Sequence, residues 1–376
     1  MKKLIIFIFV ISISILLKPL SLNANTIDGA FINGAKSGIL MEESTGEILY
    51  EKNIHEKLSP ASMTKIMTLL LIYEAMDNNI LDKNKMLVVP EYAASMGGSQ
   101  VYLEVGEQIS VDEAIKSLCV ASANDCAVLL AMEIEGSEAH FVQKMNQKAL
   151  ELGCKNTCFS DCTGLSKENH YSSAYDMALI SRELVTKYPD VLNYTNIQED
   201  YIRKDTDNPF WLVNTNKMVG RVDGLNGLKT GYTSFSGYCI TLHMQQNNMK
   251  LISVVFGYDK STTRNSESLE LLKYGFNNYK LEKILAKDLC LKSIDHILYK
   301  NKFDIVIKED IYYLCKKNEK NEYSYKYKYN DSYNGTIDIY LGNNIIANGE
   351  ISANKEVKKK NLWEVMCSIF KECFIF

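Results

Sequence analysis

Strand-patterned sequence occurs at two places far apart in this chain, with helix-patterned sequence between them. That arrangement constrains the fold more than any other feature. Ser37 to Asn53 reads SGILMEE, then STG, then EILYEKN, a strand, a turn and a strand. Residues 221–258 return to strand patterning with GLKTGYT, GYCITLHM and KLISVVFGY. Between them, a helix starts near Ser62, just after Pro60, and runs through IMTLLLIYEAM; residues 111–135, 138–152 and 173–188 carry apolar positions at helical spacing. Residues 264–279 form a last helix. The order is therefore strand pair, helical block, strands, helix. The expectation is an α+β domain whose sheet and helical cluster meet at a cleft.

The flanks differ from this central part. Lys2 and Lys3 followed by the apolar run Leu4 to Leu17, with the small residue Ala24 beyond, have the form of a secretory signal over residues 1–24, leaving 25–279 as the main domain. Removing Lys2, Lys3 and Lys18, and no acid, takes the formal charge from −4 to −7. That balance excludes a basic nucleic-acid-binding domain. After residue 280, Tyr, Lys and Asn dominate. Tyr323, Tyr325, Tyr327 and Tyr329 alternate with polar residues as one face of a half-buried strand, and Thr336 to Leu341 and Ile345 to Ile351 continue as strands joined at Asn343-Asn344. Residues 280–352 are therefore expected to form a small β domain. In the last segment, 353–376, three lysines (Lys358, Lys359, Lys360) precede a helix with Leu362, Trp363, Met366, Ile369, Phe370, Cys373 and Phe374 on one stripe, the pattern of a helix lying in a membrane interface.

Two residue types that often signal metal sites do not do so here. Ten cysteines fit an exported protein, but Cys154, Cys158 and Cys162 recur every four residues without the tight pairs and nearby histidine of a zinc site. Buried thiols or an occasional disulfide are expected. The five histidines (His55, His140, His170, His243 and His296) are scattered; His170 is expected to brace a loop near the cleft.

Three short motifs carry the chemistry. In Ser62-Met63-Thr64-Lys65, residues three apart share a helix face, so the lysine amine reaches the serine hydroxyl. A serine is a poor nucleophile until a base takes its proton, and a buried lysine beside another cation can be neutral enough to act as that base. Ser122-Ala123-Asn124 falls between two helical stretches, offering a hydroxyl for proton relay and an amide for holding a substrate; by itself it could equally be a helix cap. Lys229-Thr230-Gly231 opens a strand, pairing a cation and a hydroxyl for a carboxylate with a glycine that leaves room along the strand edge. Sixty positions separate Ser62 from Ser122, and 107 separate Ser122 from Lys229.

This trio is shared by penicillin-binding proteins and class A β-lactamases. The surrounding phrases LSPASMTKIMT, GSQVYLEVGE, SANDCAVLLA, TGLSKENHYSSAYDMA and GLKTGYTSFSGYC resemble the low-molecular-mass penicillin-binding proteins, specifically the serine-type D-alanyl-D-alanine carboxypeptidases of peptidase family S11. The resemblance covers residues 33–280; the later segments match the family in layout more than in letters. It implies the penicillin-binding/β-lactamase-like transpeptidase fold. It also implies a peptidoglycan stem peptide ending in D-Ala-D-Ala as substrate, acylation by β-lactam antibiotics, no cofactor, and a place on the outer face of the cytoplasmic membrane. Ser62 would be the nucleophile and Lys65 the base, with Ser122 and Lys229 moving the proton to the leaving amine. Asn124 would orient the peptide. The N–H groups of Ser62 and Tyr232 would form the oxyanion hole, Gly231 would admit the substrate, and Thr230 with Arg264 would hold the terminal carboxylate.

The chain departs from the family at Asn226, where Asp is frequent, and at Asp161-Cys162, where Asn and a small residue or proline are usual. A β-lactamase would share the trio, but around Glu151 the chain reads ELGCKN and lacks the E-x-x-N phrase of those enzymes. A non-catalytic peptidoglycan- or antibiotic-binding protein is the other alternative; the intact trio argues against it.

Overall fold

The computed structural model describes residues 31–165, 168–330 and 332–374; the expected signal segment lies outside them. Strand β1 (Ser37–Glu42) and β2 (Ile48–Lys52) form the predicted hairpin. A 3-10 turn, Ala61–Thr64, leads into helix α1 (Lys65–Asp77). The regular helix therefore starts three residues later than expected, at the lysine rather than the serine. Short elements β3 (Met86–Val88), α2 (Glu91–Ala94) and β4 (Gln108–Ser110) precede α3 (Val111–Val120), α4 (Asn124–Glu135) and α5 (Glu138–Glu151). Then come α6 (Ala174–Lys187), α7 (Leu192–Thr195) and the hairpin β5 (Glu199–Ile202) and β6 (Phe210–Val213). Strands β7 (Leu225–Thr233), β8 (Gly237–Gln246) and β9 (Met249–Tyr258) and helix α8 (Ser261–Asn278) complete this part. α8 begins three residues before the sequence placed it.

The main sheet is antiparallel in the order β2-β1-β9-β8-β7. The N-terminal hairpin thus pairs with β9, and β7, which carries Lys229-Thr230-Gly231, is left at the edge. One face of the sheet, including Ile39, Met41, Ile252, Val254 and Phe256, packs on α6 and α1, with α3 and α4 behind them in the same core. The other, including Leu40, Leu251 and Val255, is covered by Leu271 and Leu272 of α8. Helix α1 is apolar around its whole circumference because it is buried on every side, from Ile66 to Tyr73. Serine caps start α3 and α6: Ser110 Oγ accepts from Glu113 N, and Ser173 Oγ from Asp176 N.

Beyond α8 the chain is built of strands, as the composition shift implies. β10 (Tyr279–Leu285) pairs with β13 (Ile311–Lys316). A second sheet has the order β11-β12-β16-β15-β14, made from β11 (Cys290–Ile294), β12 (Phe303–Ile307), β14 (Tyr323–Tyr329), β15 (Gly335–Leu341) and β16 (Asn344–Ala353). Ile305, Ile307, Ile337, Ile339 and Ile351 form its own small core. Two details differ from the sequence reading. Leu341 pairs directly with Asn344, so the turn is Gly342-Asn343, with glycine supplying the positive φ that a two-residue hairpin needs. Tyr323 and Tyr327 pack against the small core, but Tyr325 and Tyr329 of this edge strand are exposed, stacked on the ring of Tyr327 between them. Helix α9 (Leu362–Phe374) ends the described chain. All ten cysteines are free thiols, six of them buried.

The turn bearing Ser62 fits its surroundings through one glycine. Gly164 has φ +88°, and a Cβ there would lie 1.9 Å from the Ala61 carbonyl oxygen. Backbone cannot rotate away as a side-chain tip would. Gly164→Ala is predicted to lower unfolding stability by about 1–3 kcal/mol; an unchanged melting temperature would contradict this packing.

Candidate active site

Lys65, the first residue of α1, is fully buried. Its Nζ donates to Asn124 Oδ1 at 2.6 Å, to the Thr163 carbonyl oxygen at 2.8 Å and to Ser62 Oγ at 3.2 Å. Three segments far apart in sequence therefore meet on one amine. Burial pulls the amine down to about 8, even though Asp161 and Asp125 in the surroundings favour its charged form. Cys162 adds no charge, since burial keeps its thiol protonated well past neutrality.

The two aspartates hold loops around the amine. Asp161 Oδ1 accepts from Thr163 N (2.7 Å), Thr163 Oγ1 (3.0 Å) and Gly164 N (2.5 Å), which fixes the Thr163 carbonyl. Asp125 Oδ2 accepts from Val101 N and Leu103 N, anchoring the loop beside Asn124. Asn124 in turn donates through Nδ2 to the Gly97 carbonyl at 2.7 Å, which fixes its Oδ1 toward the lysine. His170 braces the same region as expected: its Nε2 lies 2.7 Å from Thr64 Oγ1, and its Nδ1 accepts from Ser160 N.

Ser122 occupies the break between α3 and α4 with φ +63°, a left-handed conformation that is costly for a non-glycine residue. Its hydroxyl is buried and has no hydrogen-bond partner among the described residues. An unsatisfied buried hydroxyl on a strained turn is the usual signature of a group held ready for something else. On β7, Lys229 is almost fully buried and donates to the Thr230 carbonyl at 3.1 Å. Burial, reinforced by the Lys65 charge, holds its amine well below the ordinary lysine range. Gly231 backs onto the serine turn: a Cβ there would stand 2.7 Å from the Pro60 carbonyl oxygen. Tyr232 is exposed and stacks on Tyr238 with centroids 4.2 Å apart.

The remaining expected residues fall as follows. Thr230 Oγ1 donates to Thr215 Oγ1 at 2.8 Å. Arg264 is buried; its Nη1 donates to the Cys239 carbonyl, and its Nε and Nη2 to Asn265 Oδ1, so most of its fork is already engaged. Asn226 Nδ2 lies 3.3 Å from His243 Nδ1, and His243 Nε2 is 2.7 Å from Glu43 Oε2, a buried polar chain under the start of β7. Glu151 is exposed on α5 and pairs with Lys148 at 3.0 Å. The motifs gave no hint of the Thr163 carbonyl, Thr215 or the Glu43–His243 pair. A carbonyl acceptor leaves no mark in sequence, and the other two lie outside the motifs.

A hydroxyl beside a depressed lysine, with a second buried amine close enough to feel its charge and an unsatisfied hydroxyl at the α3–α4 break, is equipped for acyl transfer through a serine ester. On this sheet-and-helix scaffold it defines a serine acyltransferase of the penicillin-binding class. Residues 26–260 match the family described as D-alanyl-D-alanine carboxypeptidase, Peptidase S11, and the chain belongs to that family of penicillin-binding D-Ala-D-Ala carboxypeptidases. It is 41% identical over 336 residues to the D-alanyl-D-alanine carboxypeptidase DacF of Bacillus subtilis, covering 86% of each chain. Penicillin-binding protein 5 from Haemophilus influenzae superposes with a TM-score of 0.73 at 28% identity, covering 86% of this chain and 98% of that one. Penicillin-binding protein D2 from Listeria monocytogenes, solved in an ampicillin-bound form, gives 0.58 at 30% identity over 65% of this chain and 98% of that one.

The buried lysine also sets a stability signature. The folded protein gives up the Lys65 proton near pH 8, whereas the unfolded chain keeps it to about 10.5. The unfolded state therefore binds more protons between those values, and stability rises with pH across that window. Relative to Lys65→Met, the wild type is predicted to gain about 3 kcal/mol between pH 7 and pH 10.5. Denaturant unfolding of both proteins at several pH values measures it; a gap that stays constant would contradict the depressed amine.

Proposed function

We propose that Ser62 is the nucleophile and Lys65 the general base of a carboxypeptidase reaction on peptidoglycan stem peptides. Lys65 takes the Ser62 proton as Oγ bonds to the carbonyl carbon between the two D-alanines. The resulting oxyanion is received by the N–H groups of Ser62 and Tyr232. The C–N bond then breaks, and the proton passes from Lys65 through Ser122, with Lys229 beside it, to the leaving amine. Water attacks the ester carbonyl carbon and gives a proton to Lys65; the bond from that carbon to Ser62 Oγ then breaks, Lys65 returns the proton to Oγ, and the shortened peptide leaves with a free carboxylate. The observation that carries this reading is the buried Lys65 Nζ within 3.2 Å of Ser62 Oγ, at an amine pulled toward neutrality.

Substrate placement follows the edge strand. Among the described residues β7 has no strand paired on its outer side, so the N–H and carbonyl groups along that edge suit an extended peptide. Asn124 orients the peptide amide, and Gly231 lets the strand lie close to the serine turn. The terminal carboxylate is taken at the Thr230 end of β7, with the Arg264 charge behind it. β-Lactams acylate the same serine.

Activity on peptidoglycan places the working domain outside the cytoplasm. We assign residues 1–24 as the export signal, 25–279 as the catalytic domain, 280–352 as the small β domain and 353–376 as the anchor to the outer face of the cytoplasmic membrane. Leu362, Trp363, Met366, Ile369 and Phe370 are exposed on α9, next to the three lysines. Among the described residues no helix is long and apolar enough to cross a membrane, so α9 would lie in the interface.

Two predictions follow from these roles. D-Ala release from diacetyl-Lys-D-Ala-D-Ala should rise about tenfold per pH unit below pH 8 and level off above it, and should vanish in Ser62→Ala along with the penicillin adduct. Persistent release from Ser62→Ala would contradict the assignment. Removing residues 357–376 should abolish co-sedimentation with anionic vesicles while leaving D-Ala release in solution intact; unchanged sedimentation would rule out the anchor.

A further inference from the structure

Thr215 belongs to none of the motifs, yet it joins the segments that carry the second and the third. Its backbone N–H donates to the Val120 carbonyl at 3.1 Å, two residues before Ser122. Its side-chain oxygen accepts the Thr230 hydroxyl at 2.8 Å. It therefore bridges the helical wall and the edge strand. Its neighbours fix it there. Asn214 Nδ2 donates to the carbonyls of Thr195 (3.1 Å) and Ile197 (2.7 Å), Asn214 Oδ1 accepts from Asn216 N, and Asn216 Oδ1 accepts from Met218 N. A threonine held this firmly between two catalytic segments has a defined hydroxyl position.

That hydroxyl has one proton to give. Thr230 uses its own proton on Thr215, and the Thr215 proton has no acceptor among the described residues. Donation from Thr230 polarises the Thr215 O–H and makes it a better donor. Thr215 is only half-buried, whereas Thr230 is nearly enclosed, so the free donor of the pair is also the accessible one. Arg264, the other group expected at the carboxylate, has its donors turned to Cys239 and Asn265.

We propose that Thr215 is a specificity-determining residue whose hydroxyl donates directly to the terminal carboxylate of the substrate, with Thr230 behind it as the group that polarises it. This rests on the reading of Ser62 as nucleophile and of the Thr230 end of β7 as the leaving-group side. A free carboxylate one residue beyond the scissile bond is what separates a carboxypeptidase substrate from an internal peptide bond.

The test compares wild type, Thr215→Val and Thr215→Ser as full chains. Acylation of Ser62 is followed by mass spectrometry with benzylpenicillin and with its methyl ester, which lacks only the carboxylate charge. Release of D-Ala from diacetyl-Lys-D-Ala-D-Ala is measured alongside. Thr215→Val should slow acylation by the free acid roughly tenfold or more, the loss expected when a hydrogen bond to a charged group is removed. It should change acylation by the ester less than about twofold. On the peptide, KM should rise while kcat holds, and Thr215→Ser should behave as wild type on all three. An equal fall on acid and ester would overturn the proposal in favour of a merely structural threonine, and so would undiminished reaction with the acid. A wild type that is acylated but releases no D-Ala would contradict the proposed carboxypeptidase mechanism alone, and the acid-to-ester ratio would still decide Thr215.

Discussion

A lysine amine deprived of water is the constraint on which this molecule is arranged. Lys65 cannot keep a full charge at the start of an apolar helix unless acceptors surround it, and it cannot act as a base if they hold the charge too well. Asn124 Oδ1 and the Thr163 carbonyl occupy two of its three donor directions, and Ser62 Oγ takes the third at a longer distance. Each acceptor is itself fixed, Asn124 by Gly97 and the Thr163 loop by Asp161. The weakest of the three contacts is the reactive one. The polar interior is thereby satisfied while the serine hydroxyl remains free to give up its proton.

The fold serves this by bringing three walls to one point. The 3-10 turn supplies the serine and the first residue of α1 the lysine, the α3–α4 break supplies Ser122 with Asn124 at the start of α4, and β7 supplies Lys229 at the edge of the sheet. The walls approach so closely that side chains are excluded where they touch. Gly164 fits beneath Ala61 and Gly231 behind Pro60 because neither has a Cβ. Thr215 ties the second wall to the third through one backbone bond and one hydroxyl bond. The positive φ at Ser122 and at Ala61 belongs to this crowding and lies beside the reacting groups, where such strain concentrates.

Much of this was legible in the sequence, for identifiable reasons. The S-x-x-K spacing read out directly because helical geometry puts positions three apart on one face, and even the 3-10 turn at Ser62 preserves that. The sheet was legible because β1, β8 and β9 carry long runs of β-branched and apolar residues. The edge position of β7 was not, since strand order depends on which distant strand pairs with β1, and periodicity carries no such information. The Gly342-Asn343 turn was displaced by one residue because two asparagines masked the glycine that the geometry requires. Thr215 and the Thr163 carbonyl stayed invisible because a lone threonine and a backbone oxygen have no pattern to detect. The exposed Tyr325 and Tyr329 show the limit of alternation: it identifies the shared face of a strand but not whether anything covers it.

The account stands on the state of one amine. Labelling lysine Cε with carbon-13 and following its resonance with pH, with Lys65→Met for assignment, reads that state directly. A Lys65 signal that titrates near pH 8 is the predicted result. A midpoint at or above 10 would mean a stably charged ammonium that cannot take the Ser62 proton near neutral pH, and it would contradict the mechanism at its base.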